Sequence, residues 1–121
     1  DQIDIADSVY FLTGSATIDE ASHELLRDVA EIMNDHTEIG LVRVEGHTDS
    51  RGPAASNLTL SQGRADAVLS FLVDSGVSAD RLQAIGYGET RPKEDADTSA
   101  ARAANRRVDF YVSIDTVTAT N

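Results

Sequence analysis

The chain of 121 residues has no cysteine, a single lysine (Lys93) and two prolines. Without cysteine it can form neither disulfides nor thiolate metal sites, although this does not fix a compartment. No stretch reaches the ~18 consecutive apolar residues of a membrane-spanning helix. No basic segment followed by an apolar one precedes Asp1, and a start on Asp1 suggests a domain taken from a longer chain. Also lacking is positive charge. Ten basic against 21 acidic residues leave a net charge of −11. Nucleic acid is therefore an unfavourable partner, because phosphate neutralisation needs Lys and Arg.

What is present fits one domain able to bury a core, with 40% hydrophobic residues and no internal repeat. The charge is unevenly spread. Residues 1–50 hold 12 acids against Arg27 and Arg43, whereas residues 51–107 hold seven acids against eight basic residues. Nine of the ten basic residues are arginine, which binds carboxylates bidentately. A general preference for arginine fits the same bias.

The chain is organised around residues 42–68, VRVEGHTDSRGPAASNLTLSQGRADAV. Alternation over Val42–Glu45 predicts a strand that yields at Gly46–Asp49 to a loop. Ser56 or Asn57 can cap a helix expected from about Leu58 to Asp74, with Arg64 one to two turns in. Asp49 at a strand end and Arg64 on the next helix then face one cleft, suited to a ligand carrying both an ammonium and a carboxylate. Asp49 can also serve as a loop cap that accepts backbone N–H groups. Arg64 has no acid at the i±4 positions, which are Leu60 and Val68.

Elsewhere the pattern predicts a strand at Ser8–Leu12 and a helix capped by Thr17 or Asp19. Its buried stripe would be Ala21, Leu25, Val29, Ile32 and Met33, with His23 facing out. A strand at Arg81–Tyr87 follows, then a helical turn at Ser99–Ala104. The last strand alternates Val108, Phe110, Val112 and Ile114 with polar residues. Residues 1–115 read as one domain and 116–121 as a frayed tail. The order predicts an α/β two-layer sandwich with helices on one face of a four-stranded mixed sheet and solvent on the other.

Four blocks carry a resemblance: GHTDSRG, NLTLSQGRADAV, GYGETRP and ARAANRRVDF. In this order and spacing they resemble the OmpA-like (OmpA/MotB) C-terminal peptidoglycan-binding domain, over about Val9 to Ile114. The resemblance implies the same βαβαβ(α)β fold. It further implies that Asp49 binds the ammonium of a diaminopimelate and Arg64 its carboxylate, with Asn57 bordering the ligand. Thr48 and loop N–H groups would complete the pocket, Leu60 would pack beneath it, and Ser61 would support the loop. Arg106 and Arg107 should point to opposite sheet faces, Arg106 with Val108 and Arg107 with Asp109. The family arginine near the cleft is carried onto Arg107. Ala101 before Arg102 departs from the family's glycine.

The expected function is thus non-enzymatic anchoring to peptidoglycan in the periplasm, within a membrane-anchored envelope protein, with no cofactor. A homodimer fits this reading too. The rival is a protein-interaction or oligomerisation module of an envelope motor or secretion machine. A hydrolase built on His47, Asp49 and Ser61 lacks a GxSxG elbow. His23, His36 and His47 lie on separate elements, which disfavours a metal site. Gly86-Tyr87-Gly88 leads into a loop with Pro92, not into the helix a dinucleotide site requires.

Overall fold

The computed structural model describes residues 9, 11, 15–96 and 98–112. Helix α1 (His23–Asp35) follows a 3₁₀ turn, Glu20–Ser22, whose cap is Asp19: its carboxylate accepts the Ala21 N–H at 3.0 Å. Because the α-helix starts at His23, its buried stripe is Leu26, Val29, Ala30 and Met33. The expected stripe is partly overturned, since Ile32 is 51% exposed and Ala21 is exposed. His23 is half-buried, its ring centroid 5.0 Å from that of Phe71.

Strand β1 (Val42–Gly46) leads through the Thr48–Pro53 loop into helix α2 (Ala54–Asp74). The helix begins four residues before the expected Leu58. Pro53, with φ −64° and ψ 137°, is its cap, and the Pro53 carbonyl accepts the Asn57 N–H at 3.0 Å. Asn57 is thus inside the helix, and its side chain is free to donate elsewhere. Arg64 falls about three turns in, at 3.6 residues per turn.

Helix α2 ends in a Schellman arrangement. The N–H groups of Val77 and Gly76 reach the carbonyls of Leu72 and Val73, both at 3.0 Å, and Gly76 sits at φ 102° where a side chain would be strained. The chain then passes a 3₁₀ turn, Ala79–Arg81, into β2 (Leu82–Gly86). Helix α3 (Ser99–Asn105) is capped by the Thr98 hydroxyl, which accepts the Ala101 N–H at 3.1 Å, and β3 (Val108–Val112) follows.

The sheet has the order β2-β1-β3, with β1 parallel to β2 and antiparallel to β3. Among the described residues it has three strands, not the four expected. Of the predicted Ser8–Leu12 strand only Val9 and Phe11 are described, and Phe11 makes an isolated antiparallel bridge with Ile18. The predicted end of the last strand at Ile114 and the tail also lie outside the described residues.

Val42, Val44, Leu82 and Phe110 of the sheet pack with Leu26, Met33, Ala65, Val68 and Leu72 of α1 and α2. Each such side chain, fully buried, contributes roughly 1.5–3 kcal/mol. The opposite face is not simply solvated. Glu45 and His47 are both 2% exposed there. Arg43 pairs with Glu45, Arg107 donates to Asp109 at 2.9 Å, and the Arg43 guanidinium lies 5.3 Å from the Tyr111 ring centroid.

How closely α2 approaches the sheet is set by two glycines that are register partners, Gly46 and Gly86. A Cβ on Gly46 would stand 2.2 Å from the Ser61 carbonyl oxygen, and one on Gly86 would stand 2.3 Å from the Gln62 nitrogen. The contact is reinforced by polar groups. Ser61 Oγ accepts the Gly88 N–H at 2.8 Å and donates to the Leu58 carbonyl at 2.9 Å. The Gln62 amide donates to the Ala84 carbonyl at 3.1 Å and accepts the Gly86 N–H at 2.8 Å.

Gly46→Ala is therefore expected to destabilise the fold by about 3 kcal/mol, the upper end for overpacking, because the clash is with backbone. Gly63→Ala, whose Cβ would meet only the Ala16 Cβ at 3.3 Å, is expected to be nearly neutral. Urea denaturation of both variants checks this, and equal midpoints would contradict it.

Candidate functional site

A cavity of about 660 Å³ opens between the β1–α2 loop, α2 and the segment before β3. It is lined by Val9, Phe11, Thr48, Asp49, Arg51, Gly52, Asn57, Leu60, Arg64 and Arg106. Five of the six residues anticipated from sequence meet here: Asp49, Arg64, Asn57, Thr48 and Leu60.

Arg107 does not line this cavity. It lies on the far face of the sheet, where it donates to Asp109 and, at 3.1 Å, to the Arg91 carbonyl. Arg106 takes its place. The two residues diverge as strand parity requires, with Arg107 on the side of Asp109. Arg106 caps the C-terminus of α3 at φ −83° and ψ 84°, which directs it to the helix side and to Asp49. Parity alone separates the two residues, and it is Arg106, not the anticipated Arg107, that lines the cavity. The sequence reading also missed Arg51, Val9 and Phe11 as lining groups. Arg51 lies in the GHTDSRG block itself, and Phe11 in the segment preceding α1.

The loop is held by its own polar groups. The Thr48 N–H meets the Gly88 carbonyl at 2.9 Å and the Thr48 hydroxyl donates to the Asp49 carbonyl at 2.9 Å. The Asn57 amide reaches the carbonyls of Asp49 at 3.3 Å and Arg51 at 3.0 Å, and Glu89 Oε1 at 3.1 Å. Asn57 therefore braces the loop from the first turn of α2, a role distinct from the cap expected of it.

Asp49 uses both carboxylate oxygens. Oδ1 accepts the Arg51 N–H at 3.0 Å and Oδ2 accepts Arg106 Nη1 at 2.8 Å. Burial pushes its pKa up, but the Arg106 bond and the Arg51 N–H outweigh burial and hold the carboxyl below its usual value of 3.8. Arg64 is 8% exposed. Its Nε donates to the Ser15 carbonyl at 3.1 Å, and its guanidinium lies 5.0 Å from the Phe11 ring centroid. Among the described residues no acid forms an ion pair with it. Burial and then Arg106 lower its pKa while Asp49 raises it, and an arginine stays charged throughout. Among the described residues the cavity thus holds one carboxylate, already hydrogen-bonded to Arg106, and a buried guanidinium that feels the Asp49 charge but forms no ion pair with any acid.

Beneath the loop lies His47. Its ring stacks on Tyr87 with centroids 5.7 Å apart, and its Nε2 is 3.7 Å from Glu45 and 3.6 Å from Asp109, both too long for hydrogen bonds. Neither ring nitrogen has a hydrogen-bond partner among the described residues.

Three strands, helices on one face and a cleft of mixed charge at the strand ends define a small α/β domain built around a polar cleft. The chain belongs to the OmpA family, whose model matches residues 10–106. It is 48% identical over 87 residues to outer membrane porin F of Pseudomonas fluorescens, an alignment covering 72% of this chain and 26% of that protein. The chain thus spans about a quarter of that relative's length.

Among solved structures it resembles the peptidoglycan-associated lipoprotein from Burkholderia pseudomallei, with a TM-score of 0.80 and 32% identity. That match covers 88% of this chain and 89% of the other. It also resembles the C-terminal domain of Helicobacter pylori MotB, with a TM-score of 0.83 and 26% identity, over 93% and 88% of the two chains. Among the described residues no helix is long and apolar enough to cross a membrane.

The buried His47 makes stability depend on pH. Burial, then Arg107, depress its pKa below 6.5, although Asp109 and Glu45 pull the other way. The unfolded chain regains the ordinary value and binds the extra proton below it. The His47 contribution is present above pH 6.5 and is lost as pH falls through the folded-state pKa. Melting temperature is expected to drop between about pH 7.5 and 5.5, and His47→Gln should flatten that slope. An unchanged slope in the variant would assign the pH dependence to other groups.

Proposed function

We propose that this domain binds peptidoglycan non-covalently through the diaminopimelate of a stem peptide, and so anchors an envelope protein to the cell wall. The carrying observation is that Asp49 and a buried Arg64, which forms no ion pair among the described residues, line one cavity. Asp49 receives the ammonium and Arg64 the carboxylate. Thr48, Asn57 and Leu60 shape the walls, and Arg106 borders the carboxylate side. The relative named a peptidoglycan-associated lipoprotein supports this reading.

The role calls for no catalysis, so the domain acts as a binding module and not an enzyme. Its place is the periplasm, attached to a membrane-anchored parent. A modest affinity at each site suffices there, because the wall is a polymer and the parent is tethered, which raises effective concentration.

Asp49→Ala and Arg64→Ala are each expected to lower affinity for a soluble diaminopimelate stem peptide by about ten- to a hundredfold, the equivalent of one charge-assisted bond. Both variants should keep the parent's circular dichroism and should no longer co-sediment with insoluble peptidoglycan. The low pKa of Asp49 means that binding stays flat around neutrality and declines only at acidic pH. Calorimetry and sedimentation measure both effects. Retention of full binding by the two variants would refute this assignment of the cleft.

A further inference from the structure

The carboxylate proposed to receive an ammonium is not vacant. Arg106 Nη1 sits 2.8 Å from Asp49 Oδ2, the Arg51 N–H occupies Oδ1 at 3.0 Å, and Arg51 Nε is 4.0 Å from Oδ2. Among the described residues the cavity is lined by three guanidiniums, Arg51, Arg64 and Arg106, against Asp49 as the one carboxylate. A ligand bringing only an ammonium would enter a surplus of like charge and compete with Arg106 for Asp49. A ligand that also brings a carboxylate supplies the counter-charge that a displaced Arg106 needs. The backbone of Arg106 is held by its N–H on the Arg102 carbonyl at 3.1 Å, whereas its side chain is 42% exposed and can swing.

We propose that Arg106 is a specificity-determining residue: it occupies Asp49 in the free site and makes ammonium binding conditional on a carboxylate within the same ligand. This rests on the reading of the cleft as a diaminopimelate site and adds what rejects a side chain ending in an ammonium alone. In the bound state the ammonium takes Asp49, and Arg106 turns to the ligand carboxylate beside Arg64. Rejection of lysine-type stems is then repulsion built into the pocket, in addition to the missing contact at Arg64.

The test is calorimetry with two matched stem peptides, one with diaminopimelate and one with lysine at the third position, on the full chain and on Arg106→Gln. The parent should favour diaminopimelate by at least about tenfold. In Arg106→Gln the lysine peptide should bind more tightly than it does to the parent, the diaminopimelate peptide more weakly, and the ratio should shrink by about tenfold. Arg106→Lys, which keeps the charge, should preserve the ordering of the two peptides. If Arg106→Gln does not fold, the nitrogen-15 signal of the Arg106 guanidinium in the parent decides: it should shift with the diaminopimelate peptide as the Asp49 bond is exchanged. Equal weakening of both peptides in Arg106→Gln, or an unmoved Arg106 signal at saturation, would overturn the proposal. If Asp49→Ala binds diaminopimelate as well as the parent does, the reading of the cleft itself fails; if only the Arg106 results fail, that reading stands.

Discussion

The approach of α2 to the ends of β1 and β2 is the constraint on which the rest depends. Two side-chain-free positions in register, Gly46 and Gly86, let the Ser61–Gln62 backbone settle directly on the sheet. With the helix that close, Asn57 reaches the loop carbonyls leaving β1, and Arg64 comes to the cavity that Asp49 lines. A side chain at either glycine would lift the helix and separate the two charges. Core packing and ligand geometry are in this sense set by the same contact.

The electrostatics follow from that placement. On the helix side of the sheet, charge is concentrated at one end, in a cleft with an excess of guanidinium. On the other side, Glu45, Asp109, Arg43 and Arg107 neutralise one another around a buried imidazole. A chain with net charge −11 thus presents a locally positive cavity. A carboxylate ligand meets attraction at short range in spite of the overall charge, because screening confines the general repulsion to about 10 Å at ordinary salt.

Much of this was legible in the sequence, and the misses have physical causes. Alternation gave β1 and β3, and the i±4 neighbours of Arg64 correctly indicated that it lacks a partner on its own helix. The start of α2 was misjudged because Ser56 and Asn57 look like caps, whereas a proline with extended ψ supplies the boundary and Asn57 is committed to the loop. The stripe of α1 shifted because its first turn is 3₁₀, a difference of winding that composition does not register. Glu45 and His47 lie on the sheet face expected to meet solvent; their burial comes from β3 and Tyr87 closing over them, with the His47 N–H on the Arg107 carbonyl and its ring against Tyr87, contacts between segments distant in sequence. Arg106 was deducible from parity with Val108, but its bond to Asp49, 57 residues away, is tertiary information.

Gln62 carries a consequence of another kind. Among the described residues β2 is one of the two outer strands of the order β2-β1-β3, and an outer strand offers free N–H and C=O groups to any passing chain. The Gln62 amide donates to the Ala84 carbonyl and accepts the Gly86 N–H, the pair of contacts a neighbouring strand would otherwise make. One side chain thereby acts as a short substitute strand. Where copies of the domain meet at high local concentration, this margin is protected from edge-to-edge pairing.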